Sequence, residues 1–406
     1  MNITIEPGCA VGYMMAPSSK SMAHRLLICA GLCQGVSHIR CMDFNADILA
    51  TISCLRALGV VCDVDGDTVT VQGVDMKSAK PEDILDCHES GSTLRFFIPL
   101  ALLGGETVRF TGTEKLLSRP LGVYAQLCAQ HGFTYEKNPH FLEIQGKLTP
   151  DTFTVPGDIS SQFITGLLMV LPLLEGDSVI TITPPVESRG YIDLTLQVMA
   201  MFGVHAGWRD ETTLVIPGAQ TYKAIDADVE GDYSAASFFA AINALGGDVG
   251  IGGLFPDSLQ GDKVYMEHFQ SLCDGCPTID IANCPDLGPV LFAVAAAKNG
   301  GHFTGTHRLR IKESDRSASM AKELAAFGTE VTVGENTVEI VPKAFHRPAV
   351  TLYGHNDHRI VMALAVLLTV TGGTIAGAEA VSKSFPDFFD KLQSLGIRLH
   401  TDPAAH

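Results

Sequence analysis

The sequence predicts an α/β fold built from six copies of one strand–helix–strand–helix–strand–strand unit. Three observations carry this. One grammar recurs six times: a small polar cluster, an apolar helical stretch of about 13 residues, a glycine stop and a short strand. The starts lie about 70 residues apart, with one shorter gap of about 55. Most copies then carry an amphipathic helix ending at glycine and a pair of alternating strands.

The first residues, Met1-Asn2-Ile3-Thr4-Ile5, alternate and read as a strand. The six polar starts are Ser18-Ser19-Lys20, Glu89-Ser90-Gly91-Ser92, Asp158-Ile159-Ser160-Ser161, Gly231-Asp232-Tyr233-Ser234, Cys284-Pro285-Asp286 and Asn356-Asp357-His358. Their Ser and Asp oxygens suit N-caps, where they accept from the first free amides. The stretches that follow, such as Phe163–Leu174 and Ile360–Leu368, are apolar on every face, which predicts buried helices. The second helices are predicted at Asp47–Leu58, Leu121–His131, Ile192–Phe202, Arg316–Phe327 and Phe385–Leu395. Gly59, Gly132, Gly203 and Gly396 stop four of them. The clearest paired strands are Thr68–Val71 and Thr337–Val341.

Composition narrows the function. Of 406 residues, 46% are hydrophobic and 18% charged, and the mean hydropathy is +0.21, so the chain can bury large cores. The net charge of −17 argues against nucleic acid or an anionic membrane as partner. No apolar run approaches the roughly 18 residues of a membrane span, and the N-terminus lacks a secretory pattern. The 11 scattered cysteines fit a reducing, cytoplasmic setting. Cys273-Asp274-Gly275-Cys276, with Cys284 nearby, offers no fourth ligand at a zinc spacing, so no metal is expected.

Cations are scarce, yet 11 of the 28 sit at the repeat starts or their loops: Lys20, Arg25, Arg95, Arg119, Arg189, Arg308, Arg310, Lys312, Arg316, Arg359 and Lys383. Helix N-termini carry partial positive charge and free amides. Converging helix starts with basic side chains would form an anion site, and guanidinium forks suit phosphate and carboxylate. A single polar start could be a cap alone, and Arg95 and Arg310 could be structural ion-pair partners. The run Arg310-Ile311-Lys312-Glu313-Ser314-Asp315-Arg316 interleaves acids and bases between a strand and a helix, a pattern suited to acid–base work.

Five segments together resemble the motif series of the 3-phosphoshikimate 1-carboxyvinyltransferases, or EPSP synthases: residues 17–25, Ser160-Ser161-Gln162-Phe163, residues 310–316, Asp357-His358-Arg359 and Lys383-Ser384-Phe385-Pro386. The resemblance runs in order from about residue 7 to about residue 396. It implies an enolpyruvyl transferase-like inside-out α/β barrel fold with three βαβαββ units per domain. One domain is then expected at residues 18–228, and the other at 1–17 with 229–406, the active-site cleft lying between them. The implied reaction moves the enolpyruvyl group of phosphoenolpyruvate to the 5-hydroxyl of shikimate 3-phosphate and releases phosphate, with no cofactor.

By the same resemblance, Glu313 protonates the methylene carbon, Asp286 is the base at the 5-hydroxyl with Lys20 beside it, and Lys312 binds near both substrates. Shikimate 3-phosphate is assigned to Lys20, Ser21, Arg25, Ser160, Ser161, Gln162, Ser188, Asp286 and Lys312. Phosphoenolpyruvate is assigned to Lys20, Gly91, Arg119, Gln162, Arg316, Arg359 and Lys383. Asp286, Ser160 and Ser161 could also serve as caps. Self-association has no visible signature, so a monomer is expected.

The second motif departs from the family. Many members read Gly-Asn-Ala-Gly-Thr where this chain has His88-Glu89-Ser90-Gly91-Ser92, which puts an acid close to the implied phosphoenolpyruvate ligands. Arg308 stands where several members carry Asn. The related transferases acting on UDP-N-acetylglucosamine fit less well. They pair Lys with Asn in the first motif and use a loop cysteine, whereas this chain has Lys20-Ser21 and no cysteine in residues 114–120. The acidic balance disfavours the RNA 3′-phosphate cyclases. A non-catalytic metabolite sensor would not need Lys20, Asp286, Lys312 and Glu313 all intact.

Overall fold

The computed structural model describes residues 1–81 and 84–402. The chain divides into two compact units, Ser18–Glu230 and Met1–Pro17 with Gly231–His406.

The Ser18–Glu230 unit holds three four-stranded sheets of one design. In the second sheet, Ile84–Asp86 lies parallel to Val108–Thr111, which pairs antiparallel with Leu142–Gln145, and Thr134–Lys137 closes that hairpin. The third sheet repeats this order with Thr152–Pro156, Ser178–Thr183, Thr213–Ile216 and Gly207–Trp208. In the first, the outer parallel strand is Asp226–Asp228, from the far end of the unit, beside Val36–Arg40. A parallel neighbour needs a crossover, and the buried helices Gly91–Ala101 and Ser161–Val170 lie in two of these crossovers, while the buried helix Lys20–Gly31 leads into Val36–Arg40.

The other unit holds two such sheets and a remnant of a third. Thr278–Asp280, Gly301–Thr304, Thr337–Pro342 and Thr329–Val333 form one. In another, Asn2–Ile5 takes the inner hairpin position between Gly373–Ala376 and Leu399–Asp402, with Ile3 opposite Ile375 and Thr401. The remnant is only Val11–Met15 parallel to Asp248–Gly252. Here the structure departs from a uniform repeat. The Tyr265–Asp274 helix is followed almost at once by Thr278–Asp280, the first strand of the next unit, leaving no chain for a hairpin. This is the unit with the short spacing.

Each unit has its own hydrophobic core. The repeated helices lie inside it, as apolar faces all round require. Gly288–Ala297 is buried from Gly288 to Ala296, and His358–Thr371 from His358 to Thr369. Gly166 permits one close helix contact: a Cβ there would lie 2.7 Å from Tyr124 Oη and 2.8 Å from the Arg95 carbonyl oxygen. Two helix ends differ from expectation because of proline. Ser161–Val170 gives way to a 3-10 turn, Leu171–Leu173, at Pro172, and the last helix is Phe388–Ser394 because Pro386 disfavours helical backbone at Phe385.

Five of the six repeated starts cap their helices. Ser19, Ser90, Ser160, Asp232 and Asp357 accept from Met22, Thr93, Gln162, Ala235 and Arg359 backbone N–H groups. The fifth does not: the cap of its 3-10 turn Pro285–Leu287, Cys284, makes no side-chain cap bond, and the turn carries Asp286. Its carboxylate is used elsewhere.

Phe292 is fully buried, with its ring 4.8 Å from that of Phe303 in an edge-on pair. Phe292→Ala is expected to cost about 3–5 kcal/mol, read as a lower urea midpoint; an unchanged midpoint would contradict the packing described.

Candidate active site

In the Ser18–Glu230 unit, hydrogen bonds link the starts of the repeated helices. Lys20, in the first turn of its helix, reaches Asp47 Oδ2 at 2.7 Å. Asp47 opens the Ala46–Ala57 helix, and its carbonyl faces Thr93 Oγ1 at 3.5 Å. Thr93 Oγ1 donates to Ser90 Oγ at 2.7 Å. Gln162, in the first turn of the third repeated helix, donates to Ser92 Oγ at 2.9 Å and accepts from Arg95 Nη1 at 2.7 Å. Gly91 lies against two guanidiniums: a Cβ there would meet Arg119 Nη1 at 2.6 Å and Arg95 Nη1 at 3.0 Å. A side chain at 91 would push the tips of these two arginines aside. Arg95, also stacked 5.3 Å over the Phe163 ring, is the link that joins Gln162 to this corner. The corner therefore holds Lys20, Gly91, Arg119 and Gln162 on linked elements, with Ser160 and Ser161 at the start of the Gln162 helix.

Arg25 is differently engaged. It is 3% exposed and donates to Thr195 Oγ1, Thr165 Oγ1, and the carbonyls of Ser21 and Tyr191. Burial pulls it down to about 10. Four of its five N–H groups are thus spent inside the protein. Ser188 is fully buried in the left-handed region (φ 55°) just before the Arg189–Met201 helix. Glu89 is half-buried beside Ser90.

In the other unit, one arginine organises the charges. Arg316 is 1% exposed and faces three carboxylates: Asp286 Oδ1 at 2.8 Å, Glu313 Oε2 at 2.7 Å and Asp357 Oδ2 at 2.9 Å. Asp286 also meets Lys312 at 3.2 Å and Arg359 Nη2 at 3.1 Å. Asp357 is fully buried, caps its helix through the Arg359 N–H, and accepts from Ser314 Oγ at 3.0 Å. Lys383 reaches the Asn356 carbonyl at 2.9 Å. Asp286, Lys312, Glu313, Arg316 and Arg359 are therefore one network, hung on three polar segments of the unit.

The network tunes its members. Burial alone would raise the Asp286 carboxyl, but Arg359, Lys312 and Arg316 outweigh it and hold it well below the usual carboxylate range. Burial likewise opposes ionisation of Asp357, and Arg316 reverses this. Burial lowers the Lys312 ammonium against the pull of Asp286. Arg316 and Arg359 are desolvated yet stabilised by their carboxylate partners, so both rise.

Two residues of these networks were not assigned to the site from sequence. Asp47 reads as an ordinary acid in a helix's first turn, complementing the dipole. Asp357 reads as a cap, which it is, and nothing local signals its second bond to Arg316. Among the described residues no cluster of His, Cys, Asp and Glu could hold a metal ion, and no helix is long and apolar enough to cross a membrane.

The family model for EPSP synthase (3-phosphoshikimate 1-carboxyvinyltransferase) matches residues 7–392. The chain belongs to the EPSP synthase family. Curated relatives named 3-phosphoshikimate 1-carboxyvinyltransferase include one from Clostridium botulinum, 40% identical over 98% of each chain, and one from Clostridioides difficile, 39% identical over 98% of each. The fold is that of an EPSP synthase structure from Acinetobacter baumannii, with a TM-score of 0.79 at 23% identity over 98% of this chain and all of that one. It is shared with the enolpyruvyl transferase NikO from Streptomyces tendae, at TM-score 0.78 and 16% identity over 99% of each. The chain is accordingly a transferase of the EPSP synthase family.

Because Asp286 and Asp357 are held below their unfolded-state values, their ionised forms stabilise the fold. That contribution is full above about pH 5 and is lost as pH falls through the ordinary carboxylate range and below it. The urea midpoint is expected to drop between about pH 5 and pH 3, and Asp357→Asn should lessen the drop; an identical drop in the variant would contradict the assignment.

Proposed function

We propose that the protein transfers the enolpyruvyl group of phosphoenolpyruvate to the 5-hydroxyl of shikimate 3-phosphate in the shikimate pathway. The observation that carries the reading is Asp286 held among Lys312, Arg316 and Arg359, with Glu313 on the same arginine. The reaction needs an acid for the methylene carbon, a base for the hydroxyl and cations for the leaving phosphate.

Glu313 gives a proton to the methylene carbon of phosphoenolpyruvate, making it a methyl group, while the 5-hydroxyl oxygen bonds to the neighbouring carbon. Asp286 takes the hydroxyl proton, with Lys20 the second group assigned to that hydroxyl. The tetrahedral adduct then loses phosphate: the carbon–oxygen bond to phosphorus breaks, a methyl proton returns to Glu313 and the double bond re-forms. The proton held by Asp286 leaves with phosphate, so both acids are reset. A carboxylate surrounded by three cations is a weak base. The carboxylate and phosphate of phosphoenolpyruvate offset part of the charge on Lys312 and Arg359, which raises the basicity of Asp286 when it is needed.

Arg119, Arg359, Lys383, Lys20, Gln162 and the backbone at Gly91 hold phosphoenolpyruvate. Ser21, Ser160, Ser161, Gln162 and Ser188 hold shikimate 3-phosphate with Lys20, Lys312 and Asp286. Two roles are revised from those the resemblance implies. Arg316, enclosed by three carboxylates, places Asp286 and Glu313, and Arg25, with most of its donors spent, braces Ser21 and the helix starts. The protein acts as a monomer.

Phosphate release should require both substrates together; release from phosphoenolpyruvate alone, or none with both, would contradict the reading. Asp286→Ala or Glu313→Ala should lower turnover by about 10²–10⁴-fold with the fold intact, and near-normal turnover removes that residue from the chemistry. Arg119→Ala should chiefly weaken phosphoenolpyruvate binding, read by calorimetry.

A further inference from the structure

The segment that delivers Asp357 and Arg359 to the network is bent in an unusual way. After the Leu352–Tyr353 strand, Gly354 packs closely under the following helix: a Cβ there would lie 2.5 Å from Val361 Cγ2. Then His355 and Asn356 are both in the left-handed region, at φ 50° and 52°. Two consecutive residues with side chains rarely adopt it, so something outside the segment must hold them there. The Asp357 N–H closes the turn on the Gly354 carbonyl at 2.9 Å, and Lys383 holds Asn356 from one side.

Glu323 holds the other side. It lies in the helix Arg316–Ala325, two turns beyond Arg316, and is 5% exposed. One carboxylate oxygen accepts the Tyr353 backbone N–H at 3.0 Å and the other meets His355 Nε2 at 2.8 Å. The Tyr353 ring packs edge-on against the His355 imidazole, with centroids 5.0 Å apart. A buried carboxylate is costly unless both oxygens are engaged, and here both are engaged by the bend. The helix that starts with Arg316 thus binds the Asp357 segment twice: at its first residue through Arg316 and Asp357, and again through Glu323.

We propose that Glu323 is a positioning residue for the reaction, which holds the His355–Asn356 bend so that Asp357 meets Arg316 and Arg359 meets Asp286. Glu323 touches no substrate. It acts through the bend on the groups assigned to phosphoenolpyruvate and to the 5-hydroxyl, so the inference rests on the functional reading above.

The test compares Glu323→Ala and Glu323→Gln with the parent enzyme. Both are measured for steady-state phosphate release, shikimate 3-phosphate binding by calorimetry and thermal melting. Glu323→Ala should raise the KM for phosphoenolpyruvate and lower kcat, each by about tenfold, while shikimate 3-phosphate binds within about twofold of the parent, its serine contacts belonging to the Ser18–Glu230 unit and not to that of the bend. Glu323→Gln keeps an acceptor for the Tyr353 N–H and should recover most of the loss. A folded Glu323→Ala enzyme with both constants near those of the parent would overturn the proposal, as would equal losses in the binding of both substrates. Should Glu323→Ala not fold, His355→Ala, at a half-exposed position, must show the same split between the two substrates, and its absence overturns the proposal. A parent enzyme that releases no phosphate with both substrates would refute the functional reading instead.

Discussion

The site depends on a single buried cation. Arg316 is 1% exposed, yet it touches Asp286, Glu313 and Asp357, each from a different polar segment. Four charges in so small a volume would be strongly unfavourable if any were unpaired, because each has given up water. Removing the guanidinium would leave three carboxylates repelling one another, at a cost of about 3–5 kcal/mol or more for a broken buried pair. The arginine therefore locks the proposed acid, Glu313, and the proposed base, Asp286, in one geometry. Such preorganisation is how a protein stabilises developing charge without rearranging during the reaction.

The surroundings make this possible. The repeated helices are apolar on all faces, so they sink into their cores, and their starts collect the polar groups. In one unit these starts gather Lys20, Gly91, Gln162 and two arginines; in the other they gather the Arg316 network. The net charge of −17 lies on a chain whose few cations are disproportionately committed to these starts. An acidic exterior with local basic corners favours small anions over polyanions. The same arrangement gives the fifth start a different use: the Asp286 carboxylate meets three cations, and Pro285, which has no N–H, needs one partner fewer.

Much of this was legible in the sequence. The six repeats, the buried character of Phe163–Leu174 and Ile360–Leu368, and the clustering of Lys312, Glu313 and Arg316 follow from periodicity and charge scarcity. What was not legible has physical reasons. The missing hairpin of the fourth unit appears only as a short spacing, and spacing does not say which element is gone. That Asn2–Ile5 fills a hairpin position beside Gly373–Ala376 is a pairing across almost the whole chain, which local pattern cannot express. Asp47, Asp357 and Glu323 look like ordinary caps or surface acids until their partners are known. The commitment of Arg25 to Thr165, Thr195 and two carbonyls is likewise a tertiary fact.

The central claim is that Arg316 organises the catalytic carboxylates, and Arg316→Lys tests it most directly. A lysine keeps the charge but cannot reach three carboxylates with a planar fork. With both substrates saturating, phosphate release should fall by about 10²-fold or more while the protein stays folded. A folded variant that turns over within twofold of the parent would contradict the account.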